Sequence, residues 1–504
     1  MNQTLKAHVV VFGLIVLLGC TGGMRNSQPI GEQSFLGEQP PPPKQLDLGG
    51  ALARAILYNL DNRVRSMEHV IAKGNANLES FNLLPKMVAT AGYFRRDRED
   101  LSNRVNVGAV LPFAAASKSA DREQVVGSLG ETWNALDFGI AMVRSEQLRA
   151  QEQAAIQRQR QSVQNILNET RYAYARASIA QRTKLELDAM LAEINSSLAS
   201  QERAERSGLA TPLVILQQQR DLLAVYNELL VLRQVLVSAD RELNALVSLP
   251  PGTDVKLTPQ RLADVPSPLN FNARELEILE TVALLMHPEL RGADSQVFVH
   301  QREIRRMFLS MMPSLQMSST GSYESNDFAL HSVYQTLGTK VTHNLLNFHK
   351  LPALHEQGSK RLELEEQKRL ALSLAVITKV HVALANFNAL RKEYEFAAEQ
   401  AVTSNALARI MQSRYQAGEI SLHQRLTAEF FALDARLKAD LWGAEVVNAT
   451  GQIYTNLGID TVPDTIVSDD LAALSDVLKK RVAVLNDINK NLLPMAIEKM
   501  PASL

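Results

Sequence analysis

Apolar and polar positions along this chain follow two different periods, and the places where one gives way to the other predict its elements. Residues 140–207 contain neither Gly nor Pro and are rich in Ala, Gln, Glu, Arg and Leu. These residue types favour the helix and nothing among them stops one, so a single helix on the order of 100 Å long is predicted. The same composition returns over 351–417, with Pro352 near its start and Gly358 soon after. Gly208 and Gly418 follow the two runs and predict sharp turns, since glycine adopts positive φ at little cost. Beyond the first turn, Leu222, Val225, Leu229, Leu232, Leu236, Ala239, Leu243 and Leu246 alternate by threes and fours. That is a heptad seam, which predicts side-by-side coiled-coil packing, and Pro250-Pro251-Gly252 ends it. Helices of such length suit a bundle or a tube better than a compact globule.

Between shorter upstream helices and these long ones the period falls to two. In 313–323, Ser314, Gln316, Ser318, Thr320 and Ser322 form one face, while Leu315, Met317 and Tyr323 lie on the other, interrupted by Ser319 and Gly321. Residues 333–342 set Val333, Leu337 and Val341 against Tyr334, Thr336, Lys340 and Thr342. Residues 86–94 alternate more weakly, with Met87, Ala89, Ala91 and Tyr93 on one side. One polar and one apolar face fits a water-filled barrel in lipid, and the edge of a soluble sandwich gives the same pattern. Four strands per chain are expected, whereas small barrels need about eight. A barrel therefore requires several copies.

An internal duplication organises the chain. Trp133-Asn134-Ala135-Leu136-Asp137-Phe138 matches His343-Asn344-Leu345-Leu346-Asn347-Phe348 at an offset of 210, and Gly208 matches Gly418 at the same offset. Upstream, Leu60-Asp61-Asn62-Arg63 matches Pro288-Glu289-Leu290-Arg291, and Leu83-Leu84-Pro85 matches Met311-Met312-Pro313, both offset by 228. The first copy thus carries a longer loop between Pro85 and Trp133. The expected organisation is a leader at 1–19, a tether at 20–45, a first repeat at 46–250, a linker or equatorial segment at 251–272, a second repeat at 273–460 and a tail at 461–504. A helix is expected in that tail near residues 469–490.

The amino-terminal residues change the setting. Lys6 precedes an apolar run at 9–18, too short to span a bilayer, which takes about 20 residues, and suited to a secretory signal. It ends in Leu17-Leu18-Gly19-Cys20, and Cys20 is the only cysteine. This resembles a bacterial lipobox, in which the chain is cut before the cysteine and its thiol carries diacylglycerol. The other reading is a plain signal or membrane anchor that contains a cysteine. Thr21 follows, and the resemblance to lipoprotein sorting then implies outer-membrane delivery. Pro40 through Pro43 make 20–45 an extended tether. With 53 basic and 54 acidic residues no basic face points to nucleic acid. Beyond the leader no uninterrupted apolar stretch is long enough for a membrane helix. A membrane crossing would have to use strands closed into a barrel.

No enzyme chemistry is legible: there is no nucleotide-binding glycine loop, no His-Glu-x-x-His helix and no nucleophile elbow. No catalytic residue, cofactor or metal site is expected. His343, His349 and His355 recur every six residues, but on a helix that spacing separates the side chains by roughly a third of a turn. Asp469-Asp470 and Glu365-Glu366 read as solvated helix positions.

The order of helix, Leu-Leu-Pro strand, loop, strand ending in Leu136-Asp137-Phe138-Gly139, long helix, glycine turn and returning helix, followed by the whole again, resembles the TolC-like outer membrane efflux protein family, specifically its lipoprotein branch. Arg291 after Pro288, and Arg414-Tyr415-Gln416-Ala417-Gly418-Glu419-Ile420-Ser421, carry the likeness further, over about residues 46–460. The resemblance implies a mainly α protein with membrane β structure, its duplicated helix-strand-strand-helix unit forming a homotrimer. Three copies would build a twelve-stranded β-barrel in outer-membrane lipid, continued by a twelve-helix periplasmic α-barrel. Such ducts dock onto a periplasmic adaptor (membrane fusion) protein and an inner-membrane pump. The docking tips correspond here to Gly208, Leu209 and Thr211 and to Gly418, Glu419, Ile420 and Ser421. Many members place aspartates six and nine residues past the second tip glycine. Gln424 and Thr427 stand there instead, with His423 and Arg425 close by, which puts an acidic gate in doubt. Tyr415 matches a position used in latching the closed tip, or it packs between helices.

Three functions fit: a passive export duct for small molecules in a tripartite efflux system, the same fold exporting a polypeptide or polysaccharide, and a lipid-anchored periplasmic coiled-coil structural or adaptor protein. The third explains the helices and the anchor but leaves the alternating strands without a purpose.

Overall fold

The computed structural model describes residues 41–102, 117–206, 212–250, 252–259, 266–460 and 470–500. Cys20 with the tether as far as residue 40, and Gly208, Leu209 and Thr211 of the first turn, lie outside the described residues. The chain forms two compact units, each drawing residues from both halves of the duplication.

One unit comprises residues 71–152 and 296–365. Its centre is an antiparallel sheet of β2 (Lys86–Arg95), β5 (Glu123–Asn134), β7 (Ser314–Glu324) and β8 (Val333–Thr342), in that order. Thr90 pairs with Ser128, Ser128 with Ser322, and Ser322 with Tyr334. Because successive side chains alternate across a strand, this register fixes two faces. Ser128, Thr132, Gln316, Ser318, Thr320, Thr336 and Lys340 share the polar one. Met87, Leu129, Trp133, Leu315, Met317, Leu337 and Val341 share the apolar one, where Met87, Leu129, Leu337 and Val341 are well exposed. A short hairpin, β3 (Asp100–Ser102) with β4 (Ser117–Ala120), joins the strand ends, and Asn326 bridges it by accepting from Asp121 N and donating to Ser119 O, each at 3.1 Å. At the opposite end, helical residues pack through Gln147, which donates to Val299 O and to Glu303, and through the Arg302–Glu146 pair at 3.0 Å.

Two boundaries differ from expectation. Leu136-Asp137-Phe138-Gly139 lies not in a strand but in the first turns of α3 (Ala135–Arg206). Asn134 ends the strand by turning its Oδ1 onto the backbone N of Leu136, 2.9 Å away, which starts the helix early. The counterpart α7 (Asn347–Gln416) begins likewise, with Asn344 Oδ1 accepting from Leu346 N at 3.1 Å. Pro352 sits in its second turn, close enough to the start that little backbone bonding is lost.

The second unit comprises the described residues of 41–70, 153–295 and 366–500. Here α3 packs between α4 (Pro212–Leu246) and α8 (Leu422–Asn456). The seam residues Leu222, Val225, Leu229 and Leu236 bury against Ile179, Leu187 and Ile194 of α3 and against Leu426, Phe430 and Leu433 of α8. Ala239 and Leu243 continue the buried seam. A smaller layer covers part of α3. It holds the parallel pair β1 (Gln45–Leu46) and β6 (Lys256–Leu257), α1 (Leu48–Tyr58) and α9 (Leu471–Asn486). Tyr174 of α3 ties this layer down by donating toward Leu46 O and Thr258 O at 3.1 and 2.8 Å. A further core joins α5 (Ala273–Met286), the start of α6 (Pro288–Leu309), α7, α8 and α10 (Ile488–Glu498). The tail thus holds two helices where one was expected.

Arg160 clamps the end of α8. Its Nε donates to both Asp460 carboxylate oxygens at 2.7 and 2.8 Å, Nη2 to Gly458 O at 2.7 Å and Nη1 to Met286 O at 3.2 Å. Gly458 has φ +68°, and a Cβ there would stand 2.5 Å from the Met286 carbonyl.

Although neither is an uninterrupted apolar run, α4 and α7 each hold a stretch long and apolar enough to cross a membrane by length and composition. The physical reason is a second stripe on α4. Leu216, Leu223, Leu230 and Val237 repeat every seven residues on the side away from the buried seam and are exposed.

Candidate functional site at the Gly418 turn

Helix α7 ends at Gln416 and α8 begins at Leu422, so the reversal is short. Glycine makes it possible: Gly418 has φ +75° with open space around it. Gly418 N donates to Tyr415 O and Glu419 N to Arg414 O, both at 2.9 Å, the paired bonds that close a helix with a left-handed residue. Arg414 and Glu419 form an exposed ion pair at 2.9 Å across the turn.

Ser421 starts α8 through a reciprocal cap. Its hydroxyl accepts from Gln424 N at 3.3 Å, and Gln424 Oε1 accepts from Ser421 N at 3.0 Å. The Gln424 side chain is therefore turned back onto the helix start. Thr427 likewise donates its hydroxyl to His423 O, 2.9 Å away.

The charged centre of the site is one residue from Gln424. Arg425 is buried, and its guanidinium lies 5.1 Å from the centroid of the Tyr415 ring. Nη1 donates to Glu429 Oε1 at 2.7 Å and to Gln412 Oε1 at 3.3 Å, while Nη2 ion-pairs with Glu193 of α3. One cation therefore links α7, α8 and α3 through an aromatic face, an amide and two carboxylates. His423 Nε2 stands 4.0 Å from Asp221 Oδ2 on α4. Arg425 and Glu429 are four apart on one helix, a spacing that signals a pair. Glu193 is remote in sequence, and no local pattern singles it out.

Among the described residues no group of three His, Cys, Asp or Glu side chains is placed to hold a metal. His343 instead meets the Phe348 ring edge-on, with centroids 5.1 Å apart.

A model of the outer membrane efflux protein family matches residues 55–248 and 281–458. The chain belongs to the outer membrane efflux protein family. As such it is an export channel. No curated protein matches the chain, but solved channels share its fold. The outer-membrane channel OprN matches with TM-score 0.62 and 17% identity, over 82% of this chain and 90% of OprN. The Campylobacter jejuni CmeC outer membrane channel matches with TM-score 0.63 and 15% identity, over 86% of this chain and 89% of CmeC. The open state of the Neisseria gonorrhoeae MtrE outer membrane channel matches with TM-score 0.62 and 16% identity, over 82% of this chain and 89% of MtrE.

Proposed function

We propose that this efflux protein acts as a homotrimeric duct, anchored in the outer membrane through lipidated Cys20 and reaching into the periplasm. The observation that carries this reading is the sheet. It has one polar and one apolar face, and β2 and β8 stand at its two ends with no further strand beyond them among the described residues. Lipid does not tolerate an open sheet edge, and four strands are too few to close a barrel. Three copies supply twelve, with β8 of one copy meeting β2 of the next. The exposed stripe of Leu216, Leu223, Leu230 and Val237 then gives α4 a second apolar seam for a neighbouring copy.

In this reading the Gly418 turn, with Glu419, Ile420 and Ser421, and the Gly208 turn, with Leu209 and Thr211, meet a periplasmic adaptor fed by an inner-membrane pump. Substrate passes through unaltered. The Tyr415–Arg425–Glu193 cluster holds the tip closed by cross-linking helices. Gln424 and Thr427, occupied by their own helix, are gate positions without charge. The test is the protein mass of the detergent-extracted particle by light scattering. Three copies are expected, and a monomer or dimer stable without detergent would defeat the channel trimer in favour of a lipid-anchored coiled coil.

A further inference from the structure

Within the second unit, the tail helix α9 lies against α3 and α8 through a set of buried cations. On α3, Arg160, Gln164, Asn168 and Arg171 share one face, because positions three, four and seven apart on a helix lie together. Arg171 is only 3% exposed. It crosses α8 at Gly451, where a Cβ would stand 3.4 Å from its Nη1, and its Nη2 donates to Asn486 Oδ1 of α9 at 2.8 Å. Its Nε and Nη1 are buried without a partner. One turn on from Gly451, Tyr454 is fully buried, and its hydroxyl also lacks a partner. Arg481 reaches in from α9. Its Nη2 donates to Asp460 O at 3.0 Å, while its Nε is buried and unpartnered.

Charge around these groups does not balance. The Asp460 carboxylate is taken by Arg160 and by Gln164, each at 2.7 Å. Burial keeps the Tyr454 hydroxyl protonated, with its pKa above the ordinary value; Arg171 and Arg481 oppose that shift and Asp487 adds to it. Three guanidiniums, of Arg160, Arg171 and Arg481, thus stand against the two carboxylates of Asp460 and Asp487. Burial pulls the Arg171 pKa down to about 10, the response of a cation that lacks compensation out of water. Gln164 Oε1 and Asn168 Oδ1 are buried without partners as well, but they are acceptors. A water can donate to them, whereas no water neutralises a guanidinium. What Arg171, Arg481 and Tyr454 lack is an acceptor that carries negative charge.

We infer that a halide ion binds between Arg171, Arg481 and the Tyr454 hydroxyl and pins the tail helix α9 to α3 and α8. A monatomic anion suits this place better than an oxyanion. It accepts from donors on three helices without an orientation of its own, and it takes little more room than a water. An oxyanion would set further acceptor oxygens beside Gln164 Oε1 and Asn168 Oδ1, which already want donors. Arg481 is only partly buried, so the site has a way to solvent on that side. The inference stands apart from the duct reading, since every group in it belongs to one chain.

The test is thermal unfolding of the full-length protein in detergent, followed by circular dichroism in sodium chloride and in sodium gluconate at equal ionic strength. Chloride should raise the melting temperature by at least about 2 °C. R171M removes the buried charge and keeps the bulk. It should lose the chloride dependence and melt no lower than the wild type does in gluconate. Y454F deletes one donor and should need about tenfold more chloride for the same shift. Crystals grown in sodium bromide should show an anomalous peak between Arg171 and Arg481. Equal melting of the wild type in the two salts would overturn the site. A chloride shift that R171M retains would be an effect of salt on the whole surface and would overturn it too. If R171M does not fold, the bromide peak decides, and its absence refutes the site. A peak without any melting shift would mark an adventitious ion only and defeat the inference.

Discussion

Arg425 holds its guanidinium 5.1 Å from the Tyr415 ring centroid, and that one contact joins the last turn of α7 to the first turns of α8 across the Gly418 reversal. The same guanidinium pairs with Glu193 and Glu429, so a shared cation and not glycine geometry alone joins the helices at this turn.

Replacing Arg425 by Ala should therefore loosen the tip. Its own side chain is buried, but Glu193 and Glu429 are partly solvated, so the loss of stability is about 1–3 kcal/mol, below the value for a fully buried pair. Single-channel recording should show a larger open fraction, and a small otherwise excluded antibiotic should enter cells more readily. R425K, which keeps the charge but not the planar fork, should lie between. An unchanged open fraction in R425A would rule out a latch.

Two positive-φ glycines should respond unequally to alanine. At Gly418 the substitution meets open space and costs only the left-handed conformation, about 1–2 kcal/mol. At Gly458 the new methyl would in addition lie 2.5 Å from the Met286 carbonyl atoms and 2.7 Å from His287 Cα. Thermal denaturation followed by circular dichroism should show G458A melting well below G418A.

His287 should make the fold acid-sensitive. It is buried at the start of α6, where its Nδ1 accepts from Glu289 N at 3.3 Å, a role open only to the neutral ring. Burial holds its pKa below the ordinary histidine value; Glu289 opposes this, while Lys379 and Arg160 add to it. A depressed pKa means that the unfolded chain takes up the proton first. The stability from His287 is then complete above about pH 6.5 and is lost as pH falls below that value toward the folded pKa. Melting temperatures at pH 5.5 and 7.5 should differ more for the wild type than for H287N, which keeps an acceptor at the same place. Equal differences in the two proteins would refute this role.

The sheet faces should tolerate charge differently. Arginine at Leu315, Met317 or Val341 enters the apolar face and should cost about 2–4 kcal/mol near the bilayer centre, less toward its edges. The same residue at Ser318 or Thr320 enters the polar face and should assemble. Recovery of trimer from outer-membrane fractions reads the difference, and a soluble coiled coil would ignore both sets.

Replacing Cys20 by Ala removes the only thiol in the chain. Metabolic labelling with a radioactive fatty acid should then fall to background, which would separate a lipidated anchor from a plain signal that happens to contain cysteine.

Much of the fold was legible because it rests on periodicity. A run without Gly or Pro over 140–207 could only be one helix, and the heptad seam from Leu222 is buried as its spacing requires. The alternation in β7 and β8 matches their paired register residue for residue. Less legible were features set by local hydrogen bonding, such as the early helix start that Asn134 imposes on Leu136. The short β3–β4 hairpin and the parallel β1–β6 pair offer too few residues to show a period.

Sequence by itself determined the helices, the two-faced strands, the Gly418 turn and the duplication, because each depends on the spacing of residue types along one stretch of chain. Tertiary structure alone decided that Arg425 meets Glu193, that Arg160 clamps Gly458 and Asp460, and that Arg171 and Arg481 both reach Tyr454. Those side chains come from separate helices, and only packing of the buried seams sets which polar residues are left facing one another.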